Sequence, residues 1–529
     1  MLTNRPLLSA AILAALLILL WVRHVLCHGP HRLSRVLPWR LTRRPVVRWC
    51  ERPFFGWSRA WFGASRFAFG REEDSVAIVG PPRVGKTAGV LIPQAALWGG
   101  ALVSTSTKPD VLRATIGRRL ELARQHGGAV HVYAPTAPGT IEGLQPIRWS
   151  PLAGCRDPRI AALRVETLVS VANVGRNVEN ADHWRAGASR ILRAYFLAAA
   201  NHPRHPGDFA VVRRWLSLHE WREPLTILAS LQAGEGREWA DDLAGIAERT
   251  NDRERSSFFT AAETAVRATA LPAVLRSCGG TDIDPEAFIR TRSTLYIVSQ
   301  AEHQAAVAPL ISSLIESIVV TAYTLHEGHQ PPRRSGLAEL LRRRGGSEAS
   351  ACEQRPARLL LQLDELTNIA PLPSLESIVS QGAGQGVLTS WAVQSQAQLR
   401  NRYGPEAAEA IWSATRCKVV FGGLADGPSL EHLSRMIGDR KVTTRSYSFD
   451  PDGRRRMTRG HEWRPRLTPA ELRGLPPRWA LLLYHHRKPY ALRAPVAARR
   501  WHLRRAFLPV PAVPVATPVV VADATEDAA

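Results

Sequence analysis

The sequence predicts an α/β protein built on a parallel sheet, and three observations predict it. Short apolar strands alternate with helical intervals from Ser75 onward. Strand signals fade between about Asp157 and Ala270, where stretches such as HWRAGASRILRAYFLAAA place apolar residues at helical spacing. Strand-helix alternation then resumes at Ser293, so the sheet is split in the chain by an all-helical insertion.

The elements follow in order. Between Arg5 and Arg23 the chain carries no charge, and Leu7 to Val22 is almost wholly apolar, closing on Trp21. At ~1.5 Å per residue this run reaches about 24 Å, short of a roughly 30 Å hydrocarbon core unless Arg5 and Arg23 snorkel. It is expected to be one uncleaved N-terminal transmembrane anchor. Arg23, Arg32, Arg35, Arg40, Arg43, Arg44 and Arg48 follow it, which by the positive-inside rule orients the remainder into the cytosol. The aromatic-basic stretch to Phe69 is expected along the lipid surface.

Strands are expected at Val76–Val79, Ala101–Ser104, Ala129–Tyr133, Ser293–Ser299, Leu359–Glu365, Val387–Val393, Cys417–Gly423 and Trp479–Tyr484. The basic segments Gly328–Arg358 and Lys441–Arg466 read as loops, facing either a partner such as DNA or solvent. After Leu508 the chain is rich in Pro, Val and Ala, and disorder is expected. The expected divisions are thus an anchor at 1–28, a juxtamembrane segment at 29–74, a first sheet portion at 75–155, a helical insertion at 156–275, a second sheet portion at 276–500 and a tail at 501–529.

Composition narrows the class. The 529 residues hold 45% hydrophobic and 22% charged side chains, the balance of a globular protein. The net charge is +23, and only five of the 69 basic residues are lysines, so the charge is nearly all guanidinium and favours anionic partners. Six cysteines without a CxxC pair suggest neither a zinc site nor a disulfide framework. No HExxH or GxSxG motif supports a metalloprotease or serine hydrolase.

Two motifs carry chemistry. GPPRVGKT (Gly80, Pro81, Pro82, Arg83, Val84, Gly85, Lys86, Thr87) fits G-x-x-x-x-G-K-[ST] between a strand and a helix. Its glycines permit a tight path whose N–H groups point at phosphates, Lys86 reaches the β- and γ-phosphates, and Thr87 offers a hydroxyl to Mg2+. In LLLQLDE, a buried strand ends in two carboxylates: Asp364 is expected to hold Mg2+ through its water shell, and Glu365 to polarise the attacking water. ATP with Mg2+ is the expected ligand pair. Gln394, at the end of VLTSWAV, is read either as a γ-phosphate sensor or as a helix-start glutamine.

The ordered set VAIVGPPRVGKT, STKPD (Ser106 lying within TSTKPD), a helical stretch with HWR, LLLQLDELTNIAPLPSL, WAVQSQAQLRNRYG and RPRLTPAELRGLP resembles the TraG/TraD-like coupling ATPases of conjugation and type IV secretion. The resemblance runs from about Ser75 to Pro495. It implies an N-terminal membrane anchor, a RecA-like P-loop NTPase motor domain with an inserted all-alpha domain, a homo-hexamer with ATP between subunits, and delivery of relaxase-bound single-stranded DNA or protein to a secretion channel. Gly80, Gly85, Lys86, Thr87, Asp364, Glu365 and Gln394 take the nucleotide roles by that match, in a cytoplasmic motor held by a single pass through the inner membrane. Two departures stand out: one apolar run in place of two transmembrane helices, and no arginine in SQGAGQG (Ser380–Gly386), where some members carry one. Arg400, Arg402 and Arg416 are the candidate substitutes. The competing readings are an FtsK-like double-stranded DNA translocase and a membrane receptor that does not hydrolyse nucleotide.

Overall fold

The computed structural model describes residues 50–59, 65–137, 139–174, 180–231, 235–327, 356–449 and 455–496. The apolar run Leu7–Val22, nearly all of the Gly328–Arg358 stretch and the tail after Leu508 lie outside the described residues.

The strands are β1 (Phe54–Arg59), β2 (Ser65–Phe69), β3 (Val76–Val79), β4 (Ala101–Ser106), β5 (Val130–Tyr133), β6 (Thr294–Val298), β7 (Leu359–Leu363), β8 (Val387–Val393), β9 (Cys417–Phe421), β10 (Asp439–Phe449), β11 (Arg455–Pro465), β12 (Trp479–Tyr484) and β13 (Tyr490–Arg493). Eleven of them form one sheet in the order β2-β1-β13-β12-β9-β3-β8-β7-β4-β6-β5. From β9 to β5 every pairing is parallel. Helices cover both faces of such a sheet, which is why β3, β7, β8 and β9 are buried at every position and read as mostly apolar runs, broken only by Gln362, Thr389, Ser390 and Lys418.

Beyond β9 the sheet turns antiparallel, with Ala480 of β12 opposite Phe421 and Tyr484 opposite Cys417. β13 and then β1 and β2 complete this edge. For Phe54, Phe55 and Trp57 the edge corrects the expectation that the stretch to Phe69 lies along a lipid surface. Phe54, Phe55 and Trp57 are at most 1% exposed. Phe54 and Trp57 pack with Leu97 on one face of β1, and Phe55 packs with Val76 and Tyr484 on the other. These three side chains are strand core. Asp74, just before β3, accepts from the Tyr484 hydroxyl at 2.7 Å and His485 Nε2 at 2.8 Å, tying the edge to the central strand.

Between Pro158 and Arg290 the described residues form helices joined by turns. Local chemistry starts several of them: Asp157, Asp208, Asn251 and Asp284 each accept a backbone N–H as N-cap. The central helix, Ala181–Ala200, is buried along most of its length from Gly187. A Cβ on Gly187 would lie 2.1 Å from the Phe258 ring, so glycine sets the close approach of the helix Asp252–Ala265. The long apolar helix Gln304–Glu327 has the length and composition of a membrane span, but 67% of its apolar window is buried inside the protein, against Pro158–Val171 and the sheet.

β10 and β11 form a separate two-stranded ribbon. Lys441–Arg466, expected as a loop, is thus mostly extended ladder. Its side chains alternate between two exposed or half-exposed faces, so the apolar-polar alternation that marks a half-buried strand is missing from the sequence.

Candidate nucleotide-binding site

The phosphate loop leaves the C-terminal end of β3, and the neighbours of β3 supply the rest of the site. β8 pairs with β3 on one side and with β7 on the other, so the chain after β3, β8 and β7 emerges at one end of the sheet. Gly80–Thr87, Gln394 and the Asp364–Glu365 pair therefore converge at strand ends, where open α/β sheets bind ligands.

Each loop residue has a local reason. Gly85 has φ +110°, a conformation that side chains rarely adopt. Gly80 is held by space instead, because a Cβ there would sit 2.7 Å from Phe421 Cβ on β9. Arg83 takes the left-handed region at φ +66°, and Pro81 and Pro82 precede it. Val84 packs with the cluster of Val76, Val90 and Phe421 beneath the loop. The helix opens with a π turn over Thr87–Leu91 and continues as Ile92–Leu97. Gly89 in that π turn touches the far edge: a Cβ would meet the Ala494 carbonyl at 2.4 Å.

Lys86 is 7% exposed, and its ammonium donates to the Gly80 carbonyl of its own loop. Burial holds it below the usual lysine range, opposed by the Glu365 and Asp364 carboxylates. Thr87 Oγ1 donates to Asp364 Oδ2 at 3.0 Å. Asp364 is 7% exposed, and burial followed by the adjacent Glu365 charge pushes its carboxyl up to about 6. Thr105 on β4 donates to the Asp364 carbonyl at 3.0 Å, fixing the backbone behind it.

Glu365 adopts φ +52°, ψ +46° and caps a short helix, Leu366–Ile369. This left-handed turn aims its carboxylate toward β8, where the Gln394 amide donates to both oxygens at 3.2 and 3.3 Å. Gln394 N donates to Gln398 Oε1 at 3.0 Å. Gln394 stands just before the helix Gln396–Tyr403 and also contacts Glu365.

Of the candidate substitute arginines, two are engaged within the chain away from the phosphate loop. Arg400 lies 3.6 Å from Asp426, Arg402 donates to the Val171 carbonyl at 2.7 Å, and Arg416 precedes β9, at the end of that strand away from the phosphate loop.

Two residues of the site escaped sequence reasoning. Gln362, the one polar residue of LLLQL, is fully buried; it donates to the Leu91 carbonyl at 2.9 Å and Gln94 Oε1 at 3.0 Å, and accepts from Ser104 at 2.9 Å. A polar residue in an apolar strand was the available signal. Arg478, at φ +63°, brings Cγ to 3.5 Å from where a Gly85 Cβ would lie, and nothing in its sequence context marks it.

Comparison with known proteins accords with this arrangement. The chain is 22% identical over 394 residues to the conjugal transfer protein TraG of Agrobacterium fabrum, covering 73% of this chain and 55% of that protein. It is 24% identical over 401 residues to VirD4 of the same organism, covering 74% and 53%. The chain thus spans about half the length of these curated relatives. Among solved structures, the plasmid coupling protein TrwB in complex with ADP and Mg2+ shares the fold, with a TM-score of 0.54 at 18% identity over 83% of this chain and 88% of that one. Residues 50–496 match the family described as Type IV secretory system Conjugative DNA transfer, and with that match, covering the sheet, the helices and every residue of the site, the chain belongs to that family.

Proposed function

We propose that this chain is an ATP-driven coupling protein that recruits relaxase-bound single-stranded DNA or protein substrates and passes them to a type IV secretion channel. The observation that carries the reading is the convergence of Thr87 with Asp364 and of Gln394 with Glu365 on three adjacent strands. Family membership and the nucleotide complexes of TrwB support it.

The residues present fit ATP and Mg2+. A threonine hydroxyl and a carboxylate 3.0 Å apart form an oxygen donor set of the kind Mg2+ prefers, and Gly85 keeps the loop backbone open to phosphate. Thr87 and Asp364 would hold the ion, which supplies neutralisation of phosphate charge. Lys86 exchanges the Gly80 carbonyl for phosphate oxygen. Glu365 polarises water and takes its proton, and Gln394 holds the carboxylate in the orientation that this requires. An RecA-like motor with residues 156–275 as an inserted substrate-selecting domain, a membrane anchor at 1–28 and a homo-hexameric ring complete the proposal.

The test is ATP turnover by the full chain in lipid nanodiscs, with single-stranded or duplex DNA, beside Glu365→Gln. Stimulation by single strands that is lost in the variant is expected. Preference for duplex would replace the reading with an FtsK-like translocase, and binding without turnover in any condition would replace it with a receptor.

A further inference from the structure

The β10–β11 ribbon is a feature that the nucleotide site leaves unused. Its strands of 11 residues each reach about 35 Å at ~3.3 Å per residue. Outside its own ladder its substantial packing is at the root, against the helix Gly427–Ile437, where Arg466 N donates to the Gly438 carbonyl. A two-stranded ribbon standing alone is marginal in water, so one of this length is expected to gain order from what it binds.

Its register sorts its chemistry by face. Residues paired across an antiparallel ladder share a face, and faces alternate along each strand. Lys441 pairs with Trp463, Thr443 with His461, Arg445 with Arg459 and Tyr447 with Met457, so all of these project from one side. The other side carries Arg440 with Arg464, Val442 with Glu462, Thr444 with Gly460 and Ser446 with Thr458. The first face therefore interleaves three permanent cations with two aromatic rings and a methionine. Trp463 is 66% exposed, Tyr447 46% and Met457 43%. Its one carboxylate among the described side chains is Asp439 at the root. On the second face Glu462 pairs with Arg464 at 2.8 Å, leaving Arg440 as the one cation among the described side chains of that face that is not paired with a carboxylate of the same face.

We propose that the Lys441–Trp463 face of the ribbon is a single-stranded nucleic-acid arm, in which Lys441, Arg445 and Arg459 track phosphates while Trp463 and Tyr447 stack on bases. Cations alone would fit a duplex or any acidic surface. Exposed rings between the cations favour unpaired bases, whose faces a duplex hides in its own stack. The inference rests on the DNA reading above and deepens it by placing one strand-contacting surface on a segment remote from the nucleotide.

The experiment titrates the full chain in nanodiscs with a fluorescent oligothymidylate over a range of salt, beside its DNA-free ATP turnover and thermal melting. Arg445→Gln with Arg459→Gln should weaken binding and flatten the log-log salt slope by about 1.4, from ~0.7 per phosphate contact on single strands. Trp463→Ala should weaken binding about tenfold at unchanged slope. Arg440→Gln with Arg464→Gln removes the same formal charge from the other face and should leave affinity within about twofold. DNA-free turnover and melting should match wild type in all three. Equal losses from both paired variants would reduce the effect to net charge and overturn the proposal. So would unchanged binding in the first pair and Trp463→Ala, while single strands still stimulate turnover; the coupling reading would then stand without the arm. A changed sedimentation profile with intact strand binding would overturn it in favour of a neighbouring copy as the occupant. Failure of the wild type itself to bind any strand would remove the DNA reading, not the arm alone.

Discussion

The Gln394 side-chain amide donates to both oxygens of Glu365, at 3.2 and 3.3 Å, across the boundary between two parallel strands. An amide in that position fixes the carboxylate without taking its charge. Glu365→Gln is expected to lower kcat by about 10²–10⁴-fold with nucleotide binding retained. Gln394→Ala should lower kcat by roughly tenfold with little change in KM, because it loosens the base and leaves the phosphate loop alone. Steady-state turnover and equilibrium nucleotide binding check both. An unchanged kcat in Gln394→Ala would remove the positioning role.

Gln362 ties β7 to the loop helix through the Leu91 carbonyl and Gln94, and to β4 through Ser104. Gln362→Leu keeps the volume but strands three buried partners, at a cost of about 2–4 kcal/mol in unfolding free energy. Denaturant unfolding measures this. A change below about 0.5 kcal/mol would mean that the partners re-pair among themselves.

Gly89→Ala places a methyl group against the Ala494 carbonyl. Helix propensity alone would make this substitution favourable by up to about 1 kcal/mol. Overpacking at 2.4 Å reverses the sign, so a loss of about 1–3 kcal/mol is expected, together with weaker nucleotide binding as the π turn shifts. A stabilised variant would show that Ala494 yields freely.

Lys418 is 6% exposed, donates to the Thr415 carbonyl at 2.6 Å and lies 5.0 Å from the Trp412 ring centroid. Burial depresses its ammonium to about 8 from 10.5. The unfolded chain then holds the extra proton across that window, so this group's contribution to stability rises as pH increases from about 8 toward the ordinary lysine value, and is lost as pH falls through about 8. Melting curves of wild type and Lys418→Met at about pH 7 and about pH 9.5 should show this gain in the wild type alone. Parallel behaviour of the two would exclude Lys418 as the source.

What the sequence revealed follows the range of the interactions concerned. Val76–Val79 and Val387–Val393 coincide with β3 and β8, since fully buried parallel strands are predominantly apolar, with only Thr389 and Ser390 interrupting the run in β8. Gly80–Thr87 and Asp364–Glu365 were legible because neighbouring residues suffice for their chemistry. The Glu365–Gln394 contact depends on β8 lying beside β7, a matter of strand order that spacing along the chain does not encode. β1 and β13 escaped notice for a related reason: they are short, and they pair with each other across more than 400 residues of chain. The ribbon was hidden by its polarity, which in isolation reads as loop.

The antiparallel edge also has a mechanical meaning. Trp57 in β1 pairs with Arg493 in β13, the next residue is Ala494, and Ala494 bears on Gly89 in the first turn after the phosphate loop. A pull on the chain before Phe54 would run along β1, cross a hydrogen-bonded ladder and arrive at the nucleotide helix within a few residues. The edge thus links β1 to the helix after the phosphate loop through a strand pairing and one close contact. A fragment cut at Ser75 would lose that link and bare the side of the cluster under the phosphate loop that Phe55 covers.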